Sequence, residues 1–421
     1  MKKVIINPYR HVNFETTQKY KSNLHAHCYI HSDAKAHEVI DLYHQFGYKI
    51  LSLTDHDAAS GPRGTHIGKT TWPWNRLASI PTVNNHVLEN RNPHTLGMLA
   101  VEGLEFTFME HCNSLCNDAW GSTDLYLEHR DDVSRSIKEA LNRMGIAMWV
   151  HPGRYFEGDY VNGEWQGDGG YHTQQMIDTF RKFASLVGTE IHSSGMYRAH
   201  RNKIMVDHVL QELMPFRPVW LYSNDDGHGY FSVPGRGHGQ CYNVHFMEDL
   251  SMEAFARSLF RGESYAVLDI AGHKNIDRHM DNGTPIIAAP NIIDVSVTEG
   301  NITIAATNCE TIKWISDGVV VFEGASLPLN TEGLGSYVRA VLEGEALTDY
   351  DPVGANPGGE GFGQSEPGDP WPPTSYSQPF GLVDQDFEGD VNIIENPNFE
   401  INVTENIIRR FRKSFIIHQK D

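Results

Sequence analysis

Ile50-Leu51-Ser52-Leu53-Thr54-Asp55-His56 is a near-continuous apolar run that stops abruptly in a carboxylate and an imidazole. A strand of this kind has no alternation to face water, so it reads as buried on both sides, which favours a parallel sheet or barrel. The pattern recurs. Ile146-Ala147-Met148-Trp149-Val150 runs into His151-Pro152, and Val219-Trp220-Leu221-Tyr222 runs into Ser223-Asn224-Asp225-Asp226-Gly227-His228. Leu186-Val187-Gly188-Thr189 leads to Glu190 in the same way. Between these runs lie stripes at helical spacing: Val39, Ile40, Tyr43 and Phe46 before Gly47, then Val133, Ile137, Ala140, Leu141 and Met144, then Met176, Phe180 and Phe183. From about Ser22 to Ile270 the chain therefore alternates strands with crossover helices and is expected to be α/β.

The whole chain has 421 residues, enough for two domains at about 150 residues each. After Pro290 the pattern changes to hairpins: Ile292 to Thr298 and Ile302 to Thr307 flank Glu299-Gly300-Asn301, while Trp314-Ile315 and Val319 to Phe322 flank Asp317-Gly318. Tyr337 to Leu342 and Ser377 to Val383 add strands. The expected division is an α/β unit over 1–285 and a smaller antiparallel β-sandwich over 286–421, with a Gly- and Pro-rich surface excursion at 352–373. The stretch from Ala58 to Leu96 has no period and reads as a long loop over one mouth of the core. The basic and apolar segment Ile407 to Ile417 reads as a terminal segment docking on its own protein.

Composition narrows the function. A net charge of −20 with 40% hydrophobic residues describes a foldable acidic protein and weighs against a broad grip on a phosphate backbone. No stretch approaches the ~20 apolar residues that span a bilayer, and Pro8 breaks the N-terminal apolar run, so a cytoplasmic location is the default expectation. Five cysteines are few for a disulfide scaffold, and Cys112 and Cys116 read as ordinary packed thiols. Histidine, at 23 residues, is in excess, and imidazole is the commonest metal ligand and proton shuttle.

The histidines and carboxylates gather where apolar runs end. His25-Ala26-His27 follows a short strand, and residues i and i+2 on a strand project from one face, so both imidazoles can converge on one ion. Asp55 and His56, then Glu102-Gly103-Leu104-Glu105, then His151 and finally Asp226 and His228 close later runs. In a β/α barrel all strands end at one face, so residues far apart in sequence form one ligand shell. The Asp-x-His spacing selects Asp226, which shares a face with His228, over its neighbour Asp225.

In this order and at these separations, Asn23-Leu24-His25-Ala26-His27, Ser32-Asp33, Thr54-Asp55-His56-Asp57, Gly103-Leu104-Glu105, His151-Pro152-Gly153 and Asp226-Gly227-His228 resemble the PHP (polymerase and histidinol phosphatase) superfamily. The resemblance spans roughly residues 20 to 270 and implies a distorted seven-stranded (β/α)7 barrel with two or three divalent metal ions. It implies His25, His27, Glu105 and Asp226 around a first metal, and Glu105 bridging to a second that His111 and His151 complete. His56 and His228 would hold a third with His31 or Asp33 from the loop after His27. The added β domain, with Gly262-Glu263-Ser264-Tyr265-Ala266 before it and Tyr376-Ser377-Gln378-Pro379-Phe380 near its end, is similar to the metallohydrolase branch that includes carbamate hydrolases.

A His and carboxylate shell suits Zn, Mn or Fe. Two such ions ~3.5–4 Å apart can share a hydroxide, lower its pKa and aim it at phosphorus or carbon. The leading expectation is thus a metal-dependent phosphoesterase acting on a small, anionic phosphorylated substrate, with a carbamate, ester or amide hydrolase as the alternative. Asp55 is assigned to orienting a ligand or transferring a proton. Arg154 is assigned to clamping the anion through its planar fork. Glu190 stays open between a pocket wall or substrate contact and a salt-bridged role.

Overall fold

Strand β2 (Gln18–Asn23) delivers His25 and His27 and lies inside the longest sheet of a computed structural model of the chain. The structure describes residues 1–27, 36–55, 93–106, 110–116, 145–161, 164–193, 199–227, 241–269, 288–345 and 372–388, with Ile137, Gly239 and four two-residue strands at 82–83, 86–87, 280–281 and 284–285. The stripe from Val133 to Met144 (apart from Ile137), the insert at 352–371, the segment 407–417 and most of the Ala58 to Leu96 stretch lie outside these residues.

Around β2 run β3 (Ile50–Leu51) and β4 (Leu99–Ala100), both parallel, as the apolar runs predict. A second sheet is ordered β9 (Trp220–Asn224), β8 (Leu186–Ser193), β7 (Ile146–Trp149), β6 (Cys112–Leu115) and β5 (Gly103–Phe106). β8 is parallel to both of its neighbours, whereas β6 is antiparallel to β5 and to β7. Only residues 107–111 separate β5 from β6, too few for the crossover that a parallel pair requires. Helices α1 (Ala36–Gln45) and α2 (Gly170–Lys182) bury two of the stripes read from sequence, with Val39, Ile40 and Tyr43 inside on α1 and Met176 and Phe180 on α2, while α3 (Ala199–Leu213) was not read from sequence.

The expected mixed α/β layout is present, and among the described residues the strands form separate sheets and no closed barrel. The ends of the two sheets are nevertheless tied by backbone bonds. Asp226 N–H donates to His25 O at 2.9 Å, His27 N–H to Gly227 O at 3.1 Å, Thr54 N–H to Ala26 O at 2.9 Å and Glu105 N–H to Asp55 O at 3.2 Å. These bonds bring the polar strand ends to one place.

The rest of the chain extends the first sheet. β10 (Cys241–Met247) pairs with β2, and β11 (Ser264–Leu268) pairs with β10; helix α4 (Met252–Arg261) joins them, capped by Ser251. Next come β12 (Asn291–Val297) and β13 (Asn301–Thr307), then β14 (Thr311–Ser316) and β15 (Val319–Glu323), as the two hairpin signals predict. β16 (Ser326–Pro328) adds to β13, while β17 (Tyr337–Glu343), β18 (Thr374–Ser377) and β19 (Phe380–Asp384) continue the long sheet from β11. β1 (Lys2–Ile6) closes that edge on β19. The C-terminal strands thus form two facing layers, but one layer is the long sheet itself.

Period-2 alternation explains how one wall serves two cores. Along β10 and β11, Cys241, Met247, Ala266 and Leu268 point into the core of the α/β unit, while Val244, Phe246, Tyr265 and Val267 point into the core with Ile292, Ile304, Trp314 and Phe380. Each fully buried large apolar side chain contributes about 1.5–3 kcal/mol. Polar ties reinforce the join: Arg339 of β17 grips Asp207 of α3 through two bonds of 2.8 and 2.7 Å, and Gln378 bonds both N–H and O of Leu221.

Candidate metal centre

Beyond Asn23 the chain stays extended, with Ala26 bridged to Gly227, so His25 and His27 project to the same side as the spacing predicts. Their Nε2 atoms are 3.2 Å apart, and both rings are fully buried. Asp226 reaches them from the end of β9, in a left-handed backbone conformation (φ 45°), with Oδ1 3.3 Å from His25 Nε2 and 3.1 Å from His27 Nε2. Glu105 enters from β5, its Oε1 3.5 Å from His25 Nε2 and its Oε2 3.4 Å from His27 Nε2. Gly103 lets that strand approach, since a Cβ there would lie 2.6 Å from Ser52 Oγ and 2.9 Å from Ser114 O.

Glu105 also faces outward. Its Oε1 accepts from His111 Nδ1 at 2.7 Å and lies 3.1 Å from His151 Nε2. His151 sits at φ 30° before the Pro152–Tyr155 turn, whose Gly153 is forced by α3: a Cβ would stand 2.6 Å from Asn202 Oδ1, the atom that accepts Gly153 N–H. Two sets of three ligand atoms, those of His25, His27 and Asp226 and those of His25, Glu105 and His151, each lie within 4.8 Å of one another. His111 adjoins the second set through Glu105.

Glu190 is the residue whose role the sequence left open. It lies inside β8, beside a bulge, because the strand continues to Ser193 where the apolar run had suggested Thr189. Its Oε1 accepts His25 Nδ1–H at 2.9 Å and Asn224 Nδ2–H at 2.9 Å, and its Oε2 accepts the backbone N–H of His151 at 2.8 Å. One buried carboxylate therefore orients two imidazole-bearing residues from the far side. Its only sequence signal is its place after an apolar run. Burial raises the Glu190 carboxyl, against the pull of His25.

This geometry tests whether the residues fit metal. With Nδ1–H committed to Glu190, His25 turns a lone pair toward two carboxylates and a second imidazole. Electron pairs converging in a dry site are reconciled by a cation. Burial alone would depress His25, but Glu190, Asp226 and Glu105 outweigh it and lift its pKa well above the ordinary value. The same field would favour a divalent ion. His151 is the counter-case: burial depresses it to about 3, so its imidazole is neutral and available as a ligand at any working pH.

Of the other residues singled out in the sequence, Asp55 is fully buried with Oδ1 3.8 Å from His27 Nδ1, on the side of the ring away from the cluster. Arg154 Nη1 lies 3.3 Å from His111 Nε2, and its guanidinium sits 5.7 Å from the Tyr155 ring centre. Cys112 and Cys116 are buried thiols that form no disulfide among the described residues. His31, Asp33, His56 and His228, the expected third-metal ligands, lie outside the described residues.

No family model and no curated protein matches the chain. Among solved structures the chain is similar to a two-domain protein of Bacteroides vulgatus containing a predicted PHP-like metal-dependent phosphoesterase, at 15% identity over 81% of this chain and 93% of that one, with a TM-score of 0.41. It is also similar to a protein of Bifidobacterium adolescentis inferred to be a metal-dependent phosphoesterase, at 12% identity over 52% of this chain and 90% of that one, with a TM-score of 0.32. Among the described residues no helix is long and apolar enough to cross a membrane.

Proposed function

We propose that the chain is a metal-dependent phosphoesterase acting on a small anionic substrate, with a distorted barrel as the scaffold of its site. The observation that carries this reading is His25 Nε2, backed by Glu190 at Nδ1 and facing Asp226, Glu105 and His27 at 3.2–3.5 Å. His25, His27, Glu105 and Asp226 would hold one ion, and Glu105, His151 and His111 a second. Such ions supply Lewis acidity and water activation at neutral pH.

The chain's own residues do the rest. Glu190 keeps the lone pairs of His25 aimed inward and fixes the backbone of His151. Asp55 faces the outer nitrogen of His27, where it can steady that ring and hold its proton. Arg154 stands beside His111 at the outer edge, where its fork can take up non-bridging oxygens of a phosphate. That guanidinium supports a phosphoester over a carbamate, ester or amide. The buried walls exclude bulk water, which strengthens every charge interaction within.

The test is hydrolysis of chromogenic phosphomonoester, phosphodiester and carboxylic ester substrates by one metal-reconstituted preparation, with the His25→Ala, His27→Ala double variant as control. Phosphate release that the double variant loses is the expected result. Acyl cleavage alone would replace this reading with the carbamate or ester hydrolase. Release unchanged in the double variant would overturn the metal site.

A further inference from the structure

Beside the candidate ligand Asp226 lies a second carboxylate, Asp225, fully buried and turned the other way. Its Oδ2 accepts from Asn23 Nδ2, Tyr43 Oη and the backbone N–H of Gly239, each at 2.7 Å, and its Oδ1 accepts the backbone N–H of Cys241 at 2.7 Å. Every one of these partners is a donor. Only a group that accepts at both oxygens can satisfy all four, and an ionised carboxylate is the one side chain of this size that does. A buried anion tolerates low dielectric when short charge-assisted bonds surround it. Lys21 adds a cation nearby, its Nζ 4.2 Å and 3.9 Å from the Tyr48 and Tyr242 ring centres and within the field of Asp225.

What these four donors connect is the second observation. Asn23 ends β2, and its Oδ1 accepts the backbone N–H of His25 at 3.1 Å. Asp226 N–H in turn donates to His25 O at 2.9 Å. Tyr43 belongs to α1, the first described element after His27. Gly239 and Cys241 are the first described residues after Gly227. Asp225 therefore pins, at one point, the backbone turn that presents Asp226, the strand end that presents His25, and the places where two excursions of the chain return.

We propose that Asp225 is a positioning residue that holds the Asp226 and His25 backbones in their ligand-presenting geometry before any ion binds. The inference rests on reading His25, His27, Glu105 and Asp226 as metal ligands. Asp225 acts through Asn23 and through its own peptide link to Asp226. Replacement by Asn sets an amide N–H against at least one donor, whichever way the amide turns.

The experiment uses the full chain, stripped of metal and titrated with Co2+ alone, reading visible d–d absorption, together with amide hydrogen exchange of the metal-free protein. Asp225→Asn is expected to weaken Co2+ binding by about tenfold or more and to alter the band shape, as loss of an outer-sphere partner does. Exchange at 225–227 and 239–241 should rise. Because Asp225→Asn can fail to fold, Tyr43→Phe and Tyr48→Phe form the second arm. Tyr43→Phe deletes one donor to Asp225 and should weaken Co2+ by roughly threefold, whereas the buried Tyr48 hydroxyl makes no hydrogen bond among the described residues and its removal should change nothing. Equal Co2+ affinity and equal exchange in wild type, Tyr43→Phe and any folded Asp225→Asn would overturn the proposal while leaving the metal site intact. A wild type that takes up no Co2+ would overturn both.

Discussion

Two buried histidines, His25 just past the end of β2 and His245 on the neighbouring strand β10, have opposite surroundings. Ser22 Oγ lies 3.0 Å from His245 Nε2 and Ser258 Oγ 2.8 Å from its Nδ1, so that imidazole is satisfied by two hydroxyls and has no carboxylate partner among the described residues. Burial depresses it to about 3. His25 is equally buried, yet three carboxylates raise it well above the ordinary value. Burial of a histidine does not mark a site. The acceptor-rich side chains around it do, because hydroxyls can complete a neutral ring whereas converging carboxylates demand a cation.

The strongest way to break this contrast is to empty the cluster. Asp226→Asn, measured by metal content and initial rate, should lower turnover by about a thousandfold or more if metal chemistry carries the reaction. His245→Asn should leave both readouts unchanged. Retained turnover and metal in Asp226→Asn would end the distinction between the two histidines.

A subtler cut keeps every proposed ligand and removes the group that aims one. Glu190→Gln should reduce metal affinity or turnover by about 10–100-fold, followed by Co2+ titration and kinetics in parallel. An unaltered Glu190→Gln would mean that the His25 tautomer is not fixed from behind. Smaller again, Arg154→Lys should raise KM for a phosphoester by about tenfold with little change in kcat, since a point charge replaces a bidentate fork. A fall in kcat alone would move Arg154 from binding to the transition state.

The last prediction concerns stability at His245 on β10. His245 has a folded pKa of about 3 against an ordinary 6.5, so between those values the unfolded chain binds more protons. Its contribution is complete above pH 6.5 and is lost progressively as pH falls toward 3. Urea midpoints of the metal-free protein should therefore decline more steeply between pH 6.5 and 4 for wild type than for His245→Asn. Parallel profiles would show that His245 is not held neutral.

How legible was this arrangement in the sequence? His25, His27, Asp55, Glu105, His151 and Asp226 could be singled out because each closes or follows a short apolar run, and a run that stops at a charged side chain is visible without a partner. The parallel pairs and both hairpins were visible for a related reason, since their periods and turn residues are local. Glu190 and Asp225 were not resolved as scaffolds. Their roles consist of what they face, Glu190 across β8 to His25 and Asp225 to Asn23, Tyr43 and Cys241, and those contacts exist only once distant segments meet. β6 escaped for want of length, and β1 because Lys2-Lys3-Val4-Ile5-Ile6 gains its partner from the other end of the chain.

That last pairing bears on how the molecule is made. Lys2, Lys3 and Val4 take Asp384, Val383 and Leu382 as register partners, about 380 residues away along the chain. Contacts of such sequence separation form late and slow folding. Until that distant contact forms, the matching edge of β19 stays unpaired, and an open edge of this kind is a natural binding point for a holdase chaperone.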